Sequence, residues 1–381
     1  MKILQIVENL DYGTVENWLL NFFIKSKEEY PEFEWTFFCI LPEKGVFEDS
    51  FIKQGANVIH SKFLISNKLQ FILNLRKVIF TGKFNIIHSH HDYLSGFYYL
   101  STIGLKTNKI VTHIHNSNKH LPIKSKFLFK PILWFFWKLT CLFSDDIIAV
   151  SHDCLNSFLN KKYDKKGHVV YCGLDFVPFF DNLNSKDLRH KLKFDSNAIV
   201  LLFVGRLEPE KNPIFLIDIL SIVVDMDPKK EFHVVYAGIG MELDRIKEYA
   251  NSKGMNSRVH FTGFIQSIAN VYDLGNIFIF PRFESKMEGL GLVIVEAQAA
   301  GLPILTTRAI PKDAFLITNS IKIIETKDDP KIWANELIKM LNKFPNKNKL
   351  ELEFLQNSRF SIYESISNIF LIYKNKINLK S

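Results

Sequence analysis

Residues 277–303, "IFIFPRFESKMEGLGLVIVEAQAAGLP", decide how the rest of the chain is read. "IFIF" is a short apolar run of strand character. "PRFESKMEG" is a loop, and the run starting near Leu290 to Leu292 has the length and content of a buried helix. Gly301 is placed as its C-cap, two residues before Pro303. Strand, loop and helix in that order make half of a parallel βαβ unit, whose ligands sit beyond the carboxyl ends of the strands. Gly289 and Gly291 leave backbone N–H groups accessible at the helix start, a ready site for a phosphate. Glu288 precedes that terminus and Glu296 lies inside the helix. Buried carboxylates are costly without hydrogen-bond donors. Eight positions at a helical rise of roughly 1.5 Å separate the two acids by about 12 Å. A nucleotide sugar spans a similar length, so its hexose hydroxyls suit Glu288 and its ribose hydroxyls Glu296. The plainer alternative is a helix on which Glu296 is solvated and Glu288 caps the N-terminus.

The same alternation continues in both directions. "KILQIV", "EWTFFCIL", "ANVIHS", "NIIHSH", "KIVTHIH", "DDIIAVS" and "GHVVYC" are strand candidates in the first half, with helical patterns such as "TVENWLLNFFIKSKEE" between them. A polar, aperiodic stretch near residues 176–197 precedes a new strand, "AIVLLFVG", after which the pattern repeats. The expectation is α/β: two doubly wound, Rossmann-like domains facing a central cleft, with the ligand in that cleft. The first domain is placed at residues 1–180 and the second at 195–349. A C-terminal helix in 350–381 is expected to pack back toward the first domain.

Composition narrows the class. A chain of 381 residues with 47% hydrophobic and 23% charged residues suits two folded domains. The four cysteines lack zinc-ligand or CxxC spacing and read as free thiols of a reducing compartment. Net charge is +8, yet no nucleic-acid motif accompanies it. Part of that charge is concentrated in residues 116–144, which contain no acid, while Lys119, Lys124, Lys126, Lys130 and Lys138 interleave with Phe127, Phe129, Trp134, Phe135, Phe136 and Trp137. Its apolar part, "PILWFFWKLTCLF", is too short for a span of about 20 residues. It fits a helix lying on an anionic membrane surface, with a core helix as the plainer alternative. The location expected is therefore cytoplasmic, peripheral to the inner face of the cytoplasmic membrane.

"FVGRLEPEKNP", residues 203–213, sets Gly205 and Arg206 at a strand end and Lys211 at a helix start. A guanidinium and an ammonium together suit a diphosphate. With "VHFTGF" and "MEGLGLVIVEAQAAGLP", this sequence resembles the family 4 retaining glycosyltransferases of the GT-B fold. "IIHSHHDYLSGFY", "IVTHIHNSN", "SDDIIAVS" and "YCGLDF" are similar to members that build bacterial capsular and exopolysaccharides. The resemblance implies a metal-independent hexosyltransferase without cofactor, its first domain acceptor-binding and its second nucleotide-sugar-binding, moving a sugar from a nucleoside diphosphate, UDP favoured, to a glycan or polyprenyl-linked glycan. It implies that Glu288 contacts the donor sugar and Glu296 the ribose, that Arg206 and Lys211 hold the diphosphate, and that His115 lies near the donor sugar. Gly13, Gly205, Phe264, Gly289, Leu290, Gly291 and Leu292 fall on donor-binding positions by the same resemblance.

The sequence departs from the family pattern at Thr14, where a second glycine is usual, and at Cys172, where asparagine is common. The loop before Glu288 is longer than in many members and brings Glu284 as a further candidate contact. His88, His90, His91, His113 and His115 with Asp92 have the residue types of a metal site, but strand ends also gather polar groups for sugar hydroxyls, and no metal is expected. "DMD", residues 225–227, ends a helix before Pro228 and reads as solvated. Two other classes stay open: a nucleotide-sugar epimerase of the same fold, separable by a product assay without acceptor, and a non-catalytic anion-binding protein.

Overall fold

The computed structural model describes residues 1–117, 123–181, 185–193, 195, 197–265 and 267–375. Lys119, parts of the expected inter-domain stretch and the end of the chain lie outside the described residues. Two compact units are present: Met1–Leu174 with Ser358–Ser381, and Asp175–Asn357. The short helix Leu352–Gln356, within the segment expected to pack on the first domain, belongs to the second unit.

The first unit holds β1 (Lys2–Val7), β2 (Glu34–Cys39), β3 (Asn57–His60), β4 (Ile86–Ser89), β5 (Lys109–Ile114), β6 (Asp146–Ala149) and β7 (Gly167–Val169). They form one sheet in the order β3-β2-β1-β4-β5-β6-β7, and every pairing is parallel. In β4, β5 and β6 every residue is buried, as in a sheet covered on both faces. The helix Ile362–Lys374 buries Ile362, Ile366, Ile369, Phe370 and Tyr373. Phe370 stacks on Tyr30 at 3.9 Å and meets Phe22, Phe33 and Trp35. Its entry is fixed by backbone: Leu174 N–H donates to Phe360 O, and Ile362 N–H to Leu174 O. A side chain at Gly173 would put a Cβ 2.4 Å from Ser361 O, so this crossing requires glycine.

The second unit holds β8 (Ile199–Val204), β9 (Phe232–Ala237), β10 (Val259–Gly263), β11 (Ile277–Phe280), β12 (Ile304–Thr306) and β13 (Ile321–Ile323). Their order is β10-β9-β8-β11-β12-β13, again parallel throughout. The helix after β11 runs Leu292–Ala299, and only Val293 and Glu296 escape full burial. Gly301, at φ 74°, closes it: Leu302 N–H donates to Ala297 O and Gly301 N–H to Gln298 O. Because the helix starts at Leu292, only half of the steps from Glu288 to Glu296 are helical, and helical rise does not set their separation. Lys211 likewise ends a 3-10 turn, Pro209–Lys211, and the helix proper begins at Phe215. Asn212 at φ 52° separates the two.

Candidate active site

In each sheet the strand order reverses at one point, and there the loops leaving two neighbouring strands diverge to opposite faces, opening a crevice. In the second unit that point lies between β8 and β11. The loops that leave it carry Gly205, Arg206 and Lys211 on one side and Arg282, Glu288 and Gly291 on the other. Gly205 is at φ 139°, and a Cβ there would approach Lys211 Nζ to 3.2 Å, so glycine makes room for the ammonium. Lys211 is buried, its Nζ 5.7 Å from the centre of the Phe280 ring. Desolvation lowers its pKa, Glu288 acts to raise it, and Arg282 and Arg206 lower it further. These influences place the four charged groups in one electrostatic neighbourhood; Arg206 is the exposed member.

Arg282 was not picked out from sequence, where it read as one more loop cation. It is 9% exposed, donates to the carbonyls of Lys286 and Met287, and brings Nη1 to 2.8 Å from Glu288 Oε2. Its backbone is held in turn by Thr307, whose hydroxyl donates to Arg282 O, while Glu288 N–H donates to Ala309 O. Glu288 Oε2 is buried and, although ion-paired, accepts no well-angled hydrogen bond among the described residues. Beside it the helix Leu292–Ala299 begins at Gly291, φ 85°, with no capping side chain and no acid in its first turn. Its N-terminal N–H groups and partial positive charge therefore face no anion of their own helix. Gly289, Leu290 and Leu292 shape this turn, the two leucines from the buried side.

Glu296 sits one turn into that helix, half-buried, and accepts the Tyr272 hydroxyl at 2.7 Å. Burial raises its pKa to about 7 against the effect of that hydrogen bond. Phe264, 43% exposed, follows β10 at the sheet edge. Glu284 is committed elsewhere: its carboxylate accepts from the backbone N–H and hydroxyl of Thr326. Of the "DMD" acids, Asp227 pairs with Lys230 at 3.1 Å.

In the first unit the order reverses between β1 and β4. Gly13 precedes the helix Thr14–Glu29 in extended conformation, and a Cβ there would collide with the Glu16 carboxylate at 1.8 Å. This helix start, unlike that at Gly291, has an acid of its own beside it. His88, His90, His113 and His115 project from β4, β5 and the residues just beyond them, their rings 4.3 to 5.4 Å apart at successive contacts. Trp18 closes the array edge-on to His113 at 5.4 Å. Ring nitrogens of His88, His90 and His113, and of His113 and His115 with Cys172 Sγ, lie within 4.8 Å of one another. The closest rings meet at 24 to 27°, and one of these pairs, His90 with His115, is joined ring nitrogen to ring nitrogen at 2.9 Å. Asp92, at φ 40°, accepts from His115 N–H and the Asn116 amide and thereby sets the loop that carries His115.

The family models agree with this architecture. Residues 36–176 match the model "Glycosyltransferase Family 4" and residues 184–355 match "Glycosyl transferases group 1". The chain belongs to the family 4 glycosyltransferases. The capsular polysaccharide biosynthesis glycosyltransferase CapH of Staphylococcus aureus is 23% identical over 99% of each chain. EpsF of Bacillus subtilis is 22% identical over 98% of this glycosyltransferase and 96% of EpsF. The crystal structure of Anabaena HepE with UDP-glucose superposes with a TM-score of 0.78 at 18% identity, over 98% of this chain and all of that one. The GT-B fold expected from sequence is thus the observed one.

Proposed function

We propose that this glycosyltransferase moves a hexosyl group, with retention and without a metal, from a nucleoside diphosphate to a hydroxyl of a glycan or polyprenyl-linked glycan in surface polysaccharide synthesis. The observation that carries the proposal is the buried Glu288 Oε2. It is ion-paired with Arg282 in the electrostatic neighbourhood of Lys211, next to a helix N-terminus without a capping side chain, and still lacks a well-angled hydrogen-bond donor among the described residues. A sugar hydroxyl supplies that donor, while Lys211, Arg206 and the N–H groups after Gly291 take the diphosphate. The acceptor oxygen bonds to the anomeric carbon as its bond to the leaving phosphate breaks, and the acceptor proton passes to the leaving phosphate oxygen. Charge grows on the diphosphate during this step, so fixed cations there stabilise the transition state more than the ground state. HepE, whose complexes contain UDP and UDP-glucose, supports UDP as the nucleotide, and CapH supports a polysaccharide product. Calorimetry should show tight binding of UDP and much weaker binding of inorganic tripolyphosphate, and one UDP-sugar in a panel should be slowly hydrolysed. Equal affinity for UDP and tripolyphosphate, with no sugar released, would leave only an anion-binding protein.

A membrane-bound acceptor is supported by the character of the helix Ile123–Phe143. No helix among the described residues is long and apolar enough to cross a bilayer. Ile132, Phe135 and Leu142 are nevertheless about half exposed or more on one side of this helix, and Trp134 is exposed beneath Lys138, whose Nζ lies 5.1 Å from the ring centre. The side chains of residues 123–130 lie outside the described ones. An apolar face with Lys138 beside it, in a stretch of sequence, 116–144, that holds five lysines and no acid, fits the cytoplasmic surface of an anionic leaflet. Sedimentation with phosphatidylglycerol vesicles should show binding that weakens with salt and falls in a Trp134→Ala/Phe135→Ser variant. Equal binding to zwitterionic vesicles, or none to either, would remove the membrane from the proposal.

A further inference from the structure

The histidine array of the first unit is joined end to end by hydrogen bonds from the C-terminal helix. Gln5 on β1 donates through Nε2 to the Tyr373 hydroxyl at 3.1 Å, and that hydroxyl lies 2.6 Å from His88 Nδ1. Gln5 Oε1 lies 2.8 Å from His90 Nε2, and His90 Nδ1 lies 2.9 Å from His115 Nε2. Gln5, Tyr373 and His88 are sealed from solvent, while His90 and His115 keep 8% and 9% exposure.

The direction of each bond follows from what each group can carry. No carboxylate hydrogen-bonds any of the four stacked rings among the described residues, and Asp92 gives its oxygens to the His115 backbone and to Asn116. Rings stacked this closely without a counter-ion are neutral, and burial depresses the pKa of all four accordingly. A neutral imidazole has one N–H and one lone pair. Gln5 Oε1 can only accept, so His90 carries its proton on Nε2 and offers a lone pair at Nδ1. His115 must then donate from Nε2, which leaves the lone pair on its Nδ1. Tyr373, already accepting from Gln5, donates to His88 and so holds the Gln5 amide in this orientation.

We propose that Tyr373, Gln5 and His90 are positioning residues that lock His115 in its Nε2–H tautomer, so that Nδ1 accepts a hydrogen bond from a hydroxyl of the donor sugar. This rests on the reading of His115 as a donor contact, but the tautomer is a property of the free protein. Side-chain ¹⁵N spectra of histidine-labelled full-length protein, with His115 assigned from the His115→Asn difference, should show Nε2 protonated and Nδ1 bare. Tyr373→Phe removes the group that orients the amide, and Gln5→Met removes the acceptor for His90. Both should mix the two tautomers of His115 and lower kcat/KM for the donor about tenfold, the size of one hydrogen bond. A protonated Nδ1 in the wild type overturns the proposal, as does an unchanged tautomer in both variants. If the spectra follow expectation while His115→Asn transfers sugar at the wild-type rate, the lock stands as described and its donor-facing role falls.

Discussion

Lys211→Ala should lower kcat/KM for the donor by about 100- to 1000-fold, the loss of about 2.7–4 kcal/mol seen when one oxyanion-stabilising group is removed. The fold should survive. Lys211 is buried, and its pKa is lowered because desolvation outweighs the attraction of Glu288, with Arg282 and Arg206 opposing it as well. Deleting a charge in that position relieves the protein of a group that its surroundings do not favour. Glu288→Ala is a less clean test. It leaves the Arg282 guanidinium, 9% exposed, facing Lys211 without its carboxylate, and breaking a buried pair from one side costs up to about 3–5 kcal/mol. Glu288→Gln keeps the shape and separates the chemical from the structural effect. Steady-state kinetics over a donor titration up to saturation, with thermal melts as control, decide the matter. Wild-type turnover in both Lys211→Ala and Glu288→Gln would remove the assignment.

What could be read from sequence follows from which interactions are local. Alternating apolar runs and helical patterns, and punctuation such as Gly301, are local, and the two parallel sheets they imply are those observed. The pairing of "FVGR" with "MEGLGL" as one site is also visible, because both follow strands that a doubly wound sheet sets side by side. Arg282 was missed because its role depends on a loop folding back so that Nη1 reaches Glu288, and nothing in "PRFESKMEG" marks one cation over another. Glu284 and Glu288 look alike in sequence. Only the position of Thr326, 42 residues further on, takes Glu284 away from the neighbourhood. The helix start at Leu292 was uncertain for a related reason: residues 288–291 alternate glycine with other residues, and the left-handed φ at Gly291 delays the first helical turn. The histidines were visible as a group, but their hydrogen-bonded order requires Tyr373, more than 280 residues from His88.

Mild acid should unfold the first unit while the second stays folded. Burial holds His88 and His115 at pKa values of about 3, His91 at about 4, and His90 and His113 well below the ordinary value. In the unfolded chain each titrates near about 6.5. Below that pH the unfolded state binds protons that the native state refuses, so stability falls as pH falls from about 6.5 toward the folded values. At pH 5.5 each of these histidines has withdrawn on the order of 1 kcal/mol, and the five together several kcal/mol. Asp92 acts in the opposite sense: burial raises its pKa to about 6, and its uptake of a proton in the native state returns ~1 kcal/mol. The balance, several kcal/mol, reaches the range of the whole stability of an ordinary domain. In the second unit the lowered His260, at about 4, and the raised Glu296, at about 7, have opposite signs and similar size, so their effects nearly cancel. Hydrogen exchange read by mass spectrometry should therefore show β4 and β5 losing protection near pH 5.5 while β8 and β11 keep theirs. Protection of β4 and β5 persisting to pH 4 would mean that these histidines are charged, or paired, in the native protein. Loss of both sheets at one pH would mean that the two units do not unfold separately.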